Sequence, residues 1–419
     1  MNITNIKKAS MEWFKNIVVP DDYKNRLILN DSDKNLTIIG MRRLGKTEFL
    51  NYKAKESKLD AEEILFIDLD NPIFSSIDFE KRSNGRDRFI KTIDDMLSLG
   101  KIKMILLDEI QILLEWGRVL KGLIDKYKDV RFYATGSDAI KLIKGGETGV
   151  GRFQIRYMGI YSFVEYLSLN SKEEYLDNFS FPPNEKLSLI DRYQAVIEKQ
   201  MSTSSYKLLN LKSLYMNISL NPGIKLTKNG IVKAVTGNED ASFDNKQVES
   251  LINFLIESQL ILSIPDKYSL GKPSKRTIYT LYPFDWNSHK YFNNSKSYEE
   301  LETKINKEDK IKNLPTSGFV FENMIISNLY SMFNNALSRN KLSNKVDQPD
   351  VDIYVGDQAY EIKSFDIKEL SDEGLLEIIN KAKETNSIIV HNGKTESISE
   401  VSFINWKEFL KEMYKESIK

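Results

Sequence analysis

The sequence predicts an α/β protein whose N-terminal part is an open parallel sheet. Two observations carry this. Short apolar runs at NLTIIG (35–40), EILFIDLD (63–70), IKMILLDE (102–109) and VRFYATGS (130–137) alternate with stretches of helical spacing. Strands alternating with helices build parallel βαβ units. The second observation is GMRRLGKT (40–47), which follows the first apolar run and leads into TEFLNYKAKES, a helical pattern. It fits G-x-x-x-x-G-K-[ST], a loop that leaves a strand and opens a helix.

The elements follow in order. Residues 1–34 read as a polar, helical lead-in. Phe89–Leu99 and Trp116–Tyr127 are the helical stretches between the later strands. After Arg152 the pattern changes, and residues 161–220 look mainly helical, with a polar loop containing Pro182 and Pro183. From Gly223 to Tyr282 come KLTKNGIVKAVTG, NKQVESLINFLIESQLILSI and KRTIYTLY, read as helix, helix, then two strands around a polar loop with KPSKR at its tip. That is the order of a winged helix. Residues 294–313 are charged and poor in apolar residues, the composition of a linker. Residues 314–419 return to α/β: helix GFVFENMIISNLYSMF, hairpin DIYVGDQAYEIK, a helix at 368–384, strand SIIVHN and a terminal helix. The domain boundaries expected are 1–160, 161–220, 221–293, the linker 294–313, and 314–419.

The bulk numbers exclude several classes. Lysine and arginine (60) balance aspartate and glutamate (60), so any nucleic-acid surface must be local. There is no cysteine, which excludes disulfides and thiolate metal sites. His289 and His391 are the only histidines, too few for a multi-histidine zinc site. The N-terminus has no apolar signal core, and no 18-residue apolar run occurs, so a cytoplasmic protein without membrane attachment is expected.

The 40–47 loop points to a nucleoside triphosphate. Gly40 and Gly45 let the chain turn so that successive backbone N–H groups face phosphates. Lys46 adds a point charge near the β- and γ-phosphates. Thr47 offers a hydroxyl to Mg²⁺, and the helix it opens adds a favourable dipole. In MILLDEIQ (104–111) an apolar strand ends in two acids. Asp108 suits Mg²⁺, and Glu109 suits a general base that polarises water. YATGS (133–137) ends the next strand, where Thr135 or Ser137 could bond the γ-phosphate or the water. A plain Gly-Ser turn is the alternative there.

GMRRLGKTEFL, LLDEIQILLEWGRVLKGLID, RFYATGSDAIKL and VGRFQIRYMGIYSFVEYL together resemble the AAA+-type ATPases of bacteria and archaea whose C-terminal half is nuclease-like. The resemblance covers about 35–170 well. It implies ATP as substrate, Mg²⁺ as cofactor and a homo-oligomer. Arg152 is then the candidate arginine finger, acting on a neighbour's γ-phosphate; a surface arginine paired with Glu147 is the other reading. Arg42 and Arg43 are further candidates for phosphate or intersubunit contacts. The usual leucine two residues before Gly151 and the usual proline near Gly159-Ile160 are missing.

In DVDIYVGDQAYEIK (350–363), Gly356-Asp357 suits a two-residue hairpin turn. That register pairs Val355 with Gln358, Ile353 with Tyr360, and Asp352 with Glu361. Two carboxylates then meet on one face, which destabilises a sheet unless something offsets them. A divalent metal is one such offset. Lys363, two residues on, shares the face. With Pro349-Asp350 upstream, the segment resembles the PD-(D/E)xK nuclease core, part of a restriction-endonuclease-like α/β domain. The resemblance implies Mg²⁺ on Asp352 and Glu361, Glu322 as a further ligand, and Lys363 orienting the water. A nuclease-like fold that does not cut remains the alternative. Lys272, Lys275 and Arg276 cluster where a wing tip would reach DNA phosphates, or simply form a solvated loop.

Three readings stay open. One is an AAA+-like ATPase moving a winged helix and a nuclease-like domain, acting on nucleic acid. Another is a nucleotide-dependent switch whose C-terminal domain binds a protein partner. The third is an ATP-dependent DNA nuclease in defence against foreign DNA, a fold-level analogy.

Overall fold

The computed structural model describes residues 3–19, 23, 26, 34–71, 83–137, 151–169, 197, 201, 208–226, 245–264, 279–289, 318–333, 337–338 and 351–417. The chain divides into two compact units, Met1–Met158 and Gly159–Lys419. The wing-tip residues Lys272, Lys275 and Arg276, the 294–313 segment, Glu147 and most of KLTKNGIVKAVTG lie outside the described residues.

The first unit holds a five-stranded sheet. Its elements are α1 (Ile3–Asn16), β1 (Asn35–Ile39), α2 (Lys46–Glu56), β2 (Ile64–Asp68), α3 (Ser83–Leu97), β3 (Met104–Asp108), α4 (Trp116–Lys126), β4 (Arg131–Gly136) and β5 (Gln154–Tyr157). The spatial order is β2-β3-β4-β1-β5, and every pair is parallel. The central strands are apolar throughout because both faces are covered; β3 is buried along its whole length. Leu36, Ile38, Ile39, Ile105, Leu106, Phe132 and Ala134 are all essentially inaccessible.

The edge strand β2 is protected by α1. Ser10 Oγ donates to the Ile64 carbonyl (3.2 Å) and accepts from the Phe66 N–H (2.9 Å). One hydroxyl therefore serves two backbone groups that an edge leaves unpaired. Trp13 stacks on Phe66 with ring centroids 4.0 Å apart. The fifth strand, β5, has no counterpart in the sequence reading. QIRY is short, half-buried and carries two polar side chains, so it shows no apolar run.

In the second unit, α5 (Phe163–Leu169) opens with a reciprocal capping box. Glu165 Oε2 accepts from the Ser162 N–H (2.8 Å), and Ser162 Oγ accepts from the Glu165 N–H (3.3 Å). Next come α6 (Leu208–Leu220), β6 (Ile224–Leu226), α7 (Asn245–Glu257), β7 (Ile261–Ile264) and β8 (Tyr279–Pro283). The three strands form an antiparallel sheet, order β6-β8-β7. This differs from the sequence reading in one place: KLTKNG begins on a strand, not a helix, because Ile224–Leu226 pairs with β8. Helix α7 stops at Glu257 and ILSI forms β7, so β7 and β8 are the two strands expected after the helices.

The rest is α8 (Gly318–Phe333), β9 (Leu337–Ser338), β10 (Ile353–Val355), β11 (Gln358–Ile362), α9 (Asp372–Thr385), β12 (Ser387–His391), β13 (Glu396–Ile398), β14 (Val401–Asn405) and α10 (Trp406–Ser417). The strands form a mixed six-stranded sheet, order β13-β14-β12-β11-β10-β9. Helix α8 is buried from Val320 to Leu329. Its Asn328 Oδ1 accepts from the Phe163 N–H (2.6 Å), and Phe163 packs on Trp406 at 4.8 Å. Helix α9 starts at Asp372, where Ser371 caps it, later than the 368 expected. Among the described residues no helix is long and apolar enough to cross a membrane.

Candidate functional site

The strand order brings the ends of β1, β3 and β4 side by side. Loops that follow neighbouring parallel strands open at the same edge, where open α/β sheets bind ligands. Gly40 leaves β1 so closely packed that a Cβ there would lie 2.9 Å from the Met158 carbonyl oxygen. Its N–H donates to the Gly136 carbonyl at the end of β4 (3.3 Å). Gly45 takes a left-handed backbone (φ 91°) immediately before α2, a position that favours glycine.

Two side chains and one backbone N–H converge on Asp108. Thr47 Oγ1 donates to its Oδ2 at 2.7 Å, Thr135 donates to its Oδ1, and the Glu109 N–H also reaches Oδ1 (3.0 Å). Lys46 is buried and donates to the Met41 carbonyl (2.8 Å). Burial pushes its ammonium down to about 8, against the pull of Glu109 and Asp108 and with the push of Arg42. Arg42 is partly buried beside these charges, and Arg43 is exposed with φ 65°.

Glu109 is held by Ser137. The Ser137 hydroxyl donates to the carboxylate (2.8 Å to Oε2) and its N–H reaches Oε2 at 3.3 Å; Gln111 bonds the same oxygen. Burial acts to raise this carboxyl, but Lys46, the Gln111 and Ser137 hydrogen bonds and Arg42 together hold it below the usual range. Glu109 is therefore ionised at neutral pH.

Asp68 was missed by the sequence reading. It ends β2 directly opposite Asp108 in the parallel register. Burial pushes its carboxyl up; the Asp70 N–H opposes this, while Asp108, Asp70 and Glu109 add to the rise. The signal was the acid ending ILFID, which resembles the ending of MILLD.

Arg152 stands apart from this cluster. Its carbonyl accepts from Asn35 Nδ2 (3.2 Å), at the start of β1. The phosphate loop leaves the other end of that strand, about 15 Å away at the rise of an extended chain. The guanidinium is 47% exposed and pairs with Asp125 on α4.

The hairpin of the second unit has the register Ile353–Tyr360, Tyr354–Ala359 and Val355–Gln358 about Gly356-Asp357. Asp352 Oδ2 accepts from the Ile362 N–H (2.7 Å). Lys363 Nζ donates to Glu361 Oε2 at 3.0 Å and lies 4.0 Å from Asp352. Lys381 on α9 sits 2.8 Å from Glu361 Oε1, an ion pair off the hydrogen-bond direction. Burial acts to lower Lys363, but Asp352, Glu361 and Glu322 outweigh it and hold the ammonium above its ordinary value. Glu322 accepts from the Tyr282 hydroxyl. Two ammonium groups, Lys363 and Lys381, thus lie beside Glu361, one of the carboxylates on which a metal was expected. Among the described residues no group of three or more histidine, cysteine or acidic side chains is placed to hold a metal ion.

These observations define a phosphate-binding α/β domain with a strand-end acid pair. Residues 32–167 match the family described as AAA domain, so this stretch is an AAA-type P-loop ATPase domain. An uncharacterised protein of Methanocaldococcus jannaschii is 32% identical over 120 residues, 28% of this chain and 24% of that protein. The chain thus aligns with about a quarter of that relative's length. Among solved structures, the Thermotoga maritima RuvB Holliday junction branch migration motor is 14% identical over 72% of this chain and 95% of that one (TM-score 0.27). A closed-state Hsp104 is 11% identical over 94% and 68% (TM-score 0.29). C. elegans PCH-2 is 13% identical over 38% and 41% (TM-score 0.23).

Proposed function

We propose that this chain binds ATP with Mg²⁺ at Gly40–Thr47 and hydrolyses it. The observation that carries this is the single hydrogen-bonded network in which Asp108 joins Thr47 of the phosphate loop to Thr135 of β4. A hydroxyl beside a carboxylate is a hard-oxygen pair, and Mg²⁺ carried on a triphosphate needs only one or two protein ligands. Mg²⁺ held there supplies positive charge against the β- and γ-phosphates. Gly45 and the first turn of α2 present N–H groups, and Lys46 adds its ammonium. Glu109, ionised and turned towards Ser137, accepts the proton of the attacking water. Thr135 and Ser137 fix the two acids from the neighbouring strand. Arg42 adds positive charge beside Lys46 and Glu109.

Arg152 acts in trans in this reading. Its place at the start of β5, with the loop at the opposite end of β1, keeps it from its own phosphates. A homo-oligomer presents it to a neighbour, after release from Asp125. The second unit serves in this reading as a partner-binding domain that ATP turnover drives, the partner being nucleic acid or protein.

Glu109→Gln tests the hydrolysis claim. The variant keeps ATP affinity and loses turnover by about 10²- to 10⁴-fold, the usual worth of a general base. Unchanged turnover removes Glu109 from this role.

A further inference from the structure

We propose that Tyr23, from the lead-in before β1, is a positioning residue that sets the phosphate loop for nucleotide; this rests on the ATP-binding reading. Tyr23 is 3% exposed, although it lies 22 residues from the loop it touches. Its hydroxyl donates to the Gly45 carbonyl at 2.6 Å. Its ring lies 6.5 Å from that of Tyr52, on α2.

The Gly45 carbonyl also accepts from the Phe49 N–H (3.0 Å), so both of its lone pairs are used. The peptide between Gly45 and Lys46 is planar and trans, which points its N–H opposite to its C=O. Fixing the carbonyl towards α2 and Tyr23 therefore aims the Lys46 N–H out of the helix start, where phosphate oxygens bind. Gly45 is also the residue with the most freedom to turn this peptide, since glycine holds its left-handed backbone without a side-chain penalty. The Tyr23 hydroxyl thus constrains the peptide that follows the left-handed glycine of the loop. Neither Lys46 nor Thr47 supplies that restraint, because their side chains are committed to Met41 and Asp108.

The test is Tyr23→Phe in the full-length chain, which removes the hydroxyl and keeps the ring. Affinity for MgADP and for a non-hydrolysable ATP analogue is measured by calorimetry, alongside KM and kcat for ATP. The expected result is a three- to tenfold weaker Kd for both nucleotides, about the worth of one hydrogen bond. KM rises by the same factor and kcat stays within about twofold. Equal affinity in variant and wild type overturns the proposal. So does a loss of affinity that only tracks a fall in the ligand-free melting temperature. A second measurement needs no nucleotide: exchange of the Phe49 amide in the ligand-free protein is expected to speed up several-fold. If wild type binds no nucleotide, the ATP reading fails, and unchanged Phe49 exchange then overturns the clamp as well.

Discussion

The charge on Lys46 makes ATP use depend on pH in a window set by the structure. The ammonium is buried against Met41 and pushed down to about 8. A group with that pKa is about nine-tenths charged at pH 7 and about one-tenth charged at pH 9. The pH profile of kcat/KM reports the free enzyme, so kcat/KM for MgATP is expected to fall about tenfold between pH 7 and pH 9. Phosphate oxygens favour the charged form, so binding ATP takes up a proton. At pH 8 the uptake is about half a proton per site, measurable by calorimetry in buffers of different ionisation enthalpy. The effect on folding has the opposite sign. The unfolded lysine holds its proton up to its ordinary 10.5, so between about 8 and 10.5 the unfolded chain binds more protons. The burial cost is therefore fully present below about 8, and it is relieved as pH rises through that window. Ligand-free stability gains from Lys46 over the range in which ATP affinity is lost. A kcat/KM that stays flat to pH 9.5, or binding without proton uptake at pH 8, refutes the reasoning.

Two further outcomes test the wider reading. Arg152→Ala is expected to bind ATP as wild type does and to lose turnover by about 10³-fold or more, the low end for an arginine finger. Mixing it with Glu109→Gln restores part of the activity if the arginine acts across subunits; no recovery at any mixing ratio, with oligomers confirmed by solution mass, rules out trans action. Wild type is expected to cleave neither DNA nor RNA with Mg²⁺ under any nucleotide condition, and cleavage that Glu361→Ala abolishes would favour the nuclease reading instead.

What was legible in the sequence follows from burial. β1 to β4 are covered on both faces, and their apolar runs announced them. β5 lies at the sheet edge beside β1 and packs only Ile155 and Tyr157 against the core, so QIRY alternates polar and apolar over four residues and shows no apolar run. The hairpin was legible because Gly356-Asp357 fixes a turn, and a turn fixes a register. Its counter-charge was not legible. Lys381 lies on a helix twenty residues beyond Glu361, and spacing says nothing of where α9 docks. The same holds for Tyr23. Its bond to Gly45 spans 22 residues, a contact that no periodicity encodes. Asp68 was legible as a strand-end acid, but its place opposite Asp108 needed the strand order.

The strand-end acid pair poses a geometric problem that the backbone at Glu109 resolves. Successive side chains of a strand point to opposite faces. If β3 simply continued, Asp108 and Glu109 would face away from each other, and only one could reach the phosphates. The chain instead turns left-handed at Glu109 (φ 54°, ψ 46°). The turn is closed by the Glu109 N–H on Asp108 Oδ1, and it brings the Glu109 carboxylate to Ser137 at the end of β4. A non-glycine residue there costs on the order of 1 kcal/mol. Asparagine or glycine would fit that backbone at less cost, yet neither offers a carboxylate. Backbone strain at this position is thus explained by the need to place both acids in one crevice, and Ser137, Gln111 and Lys46 supply the opposing interactions.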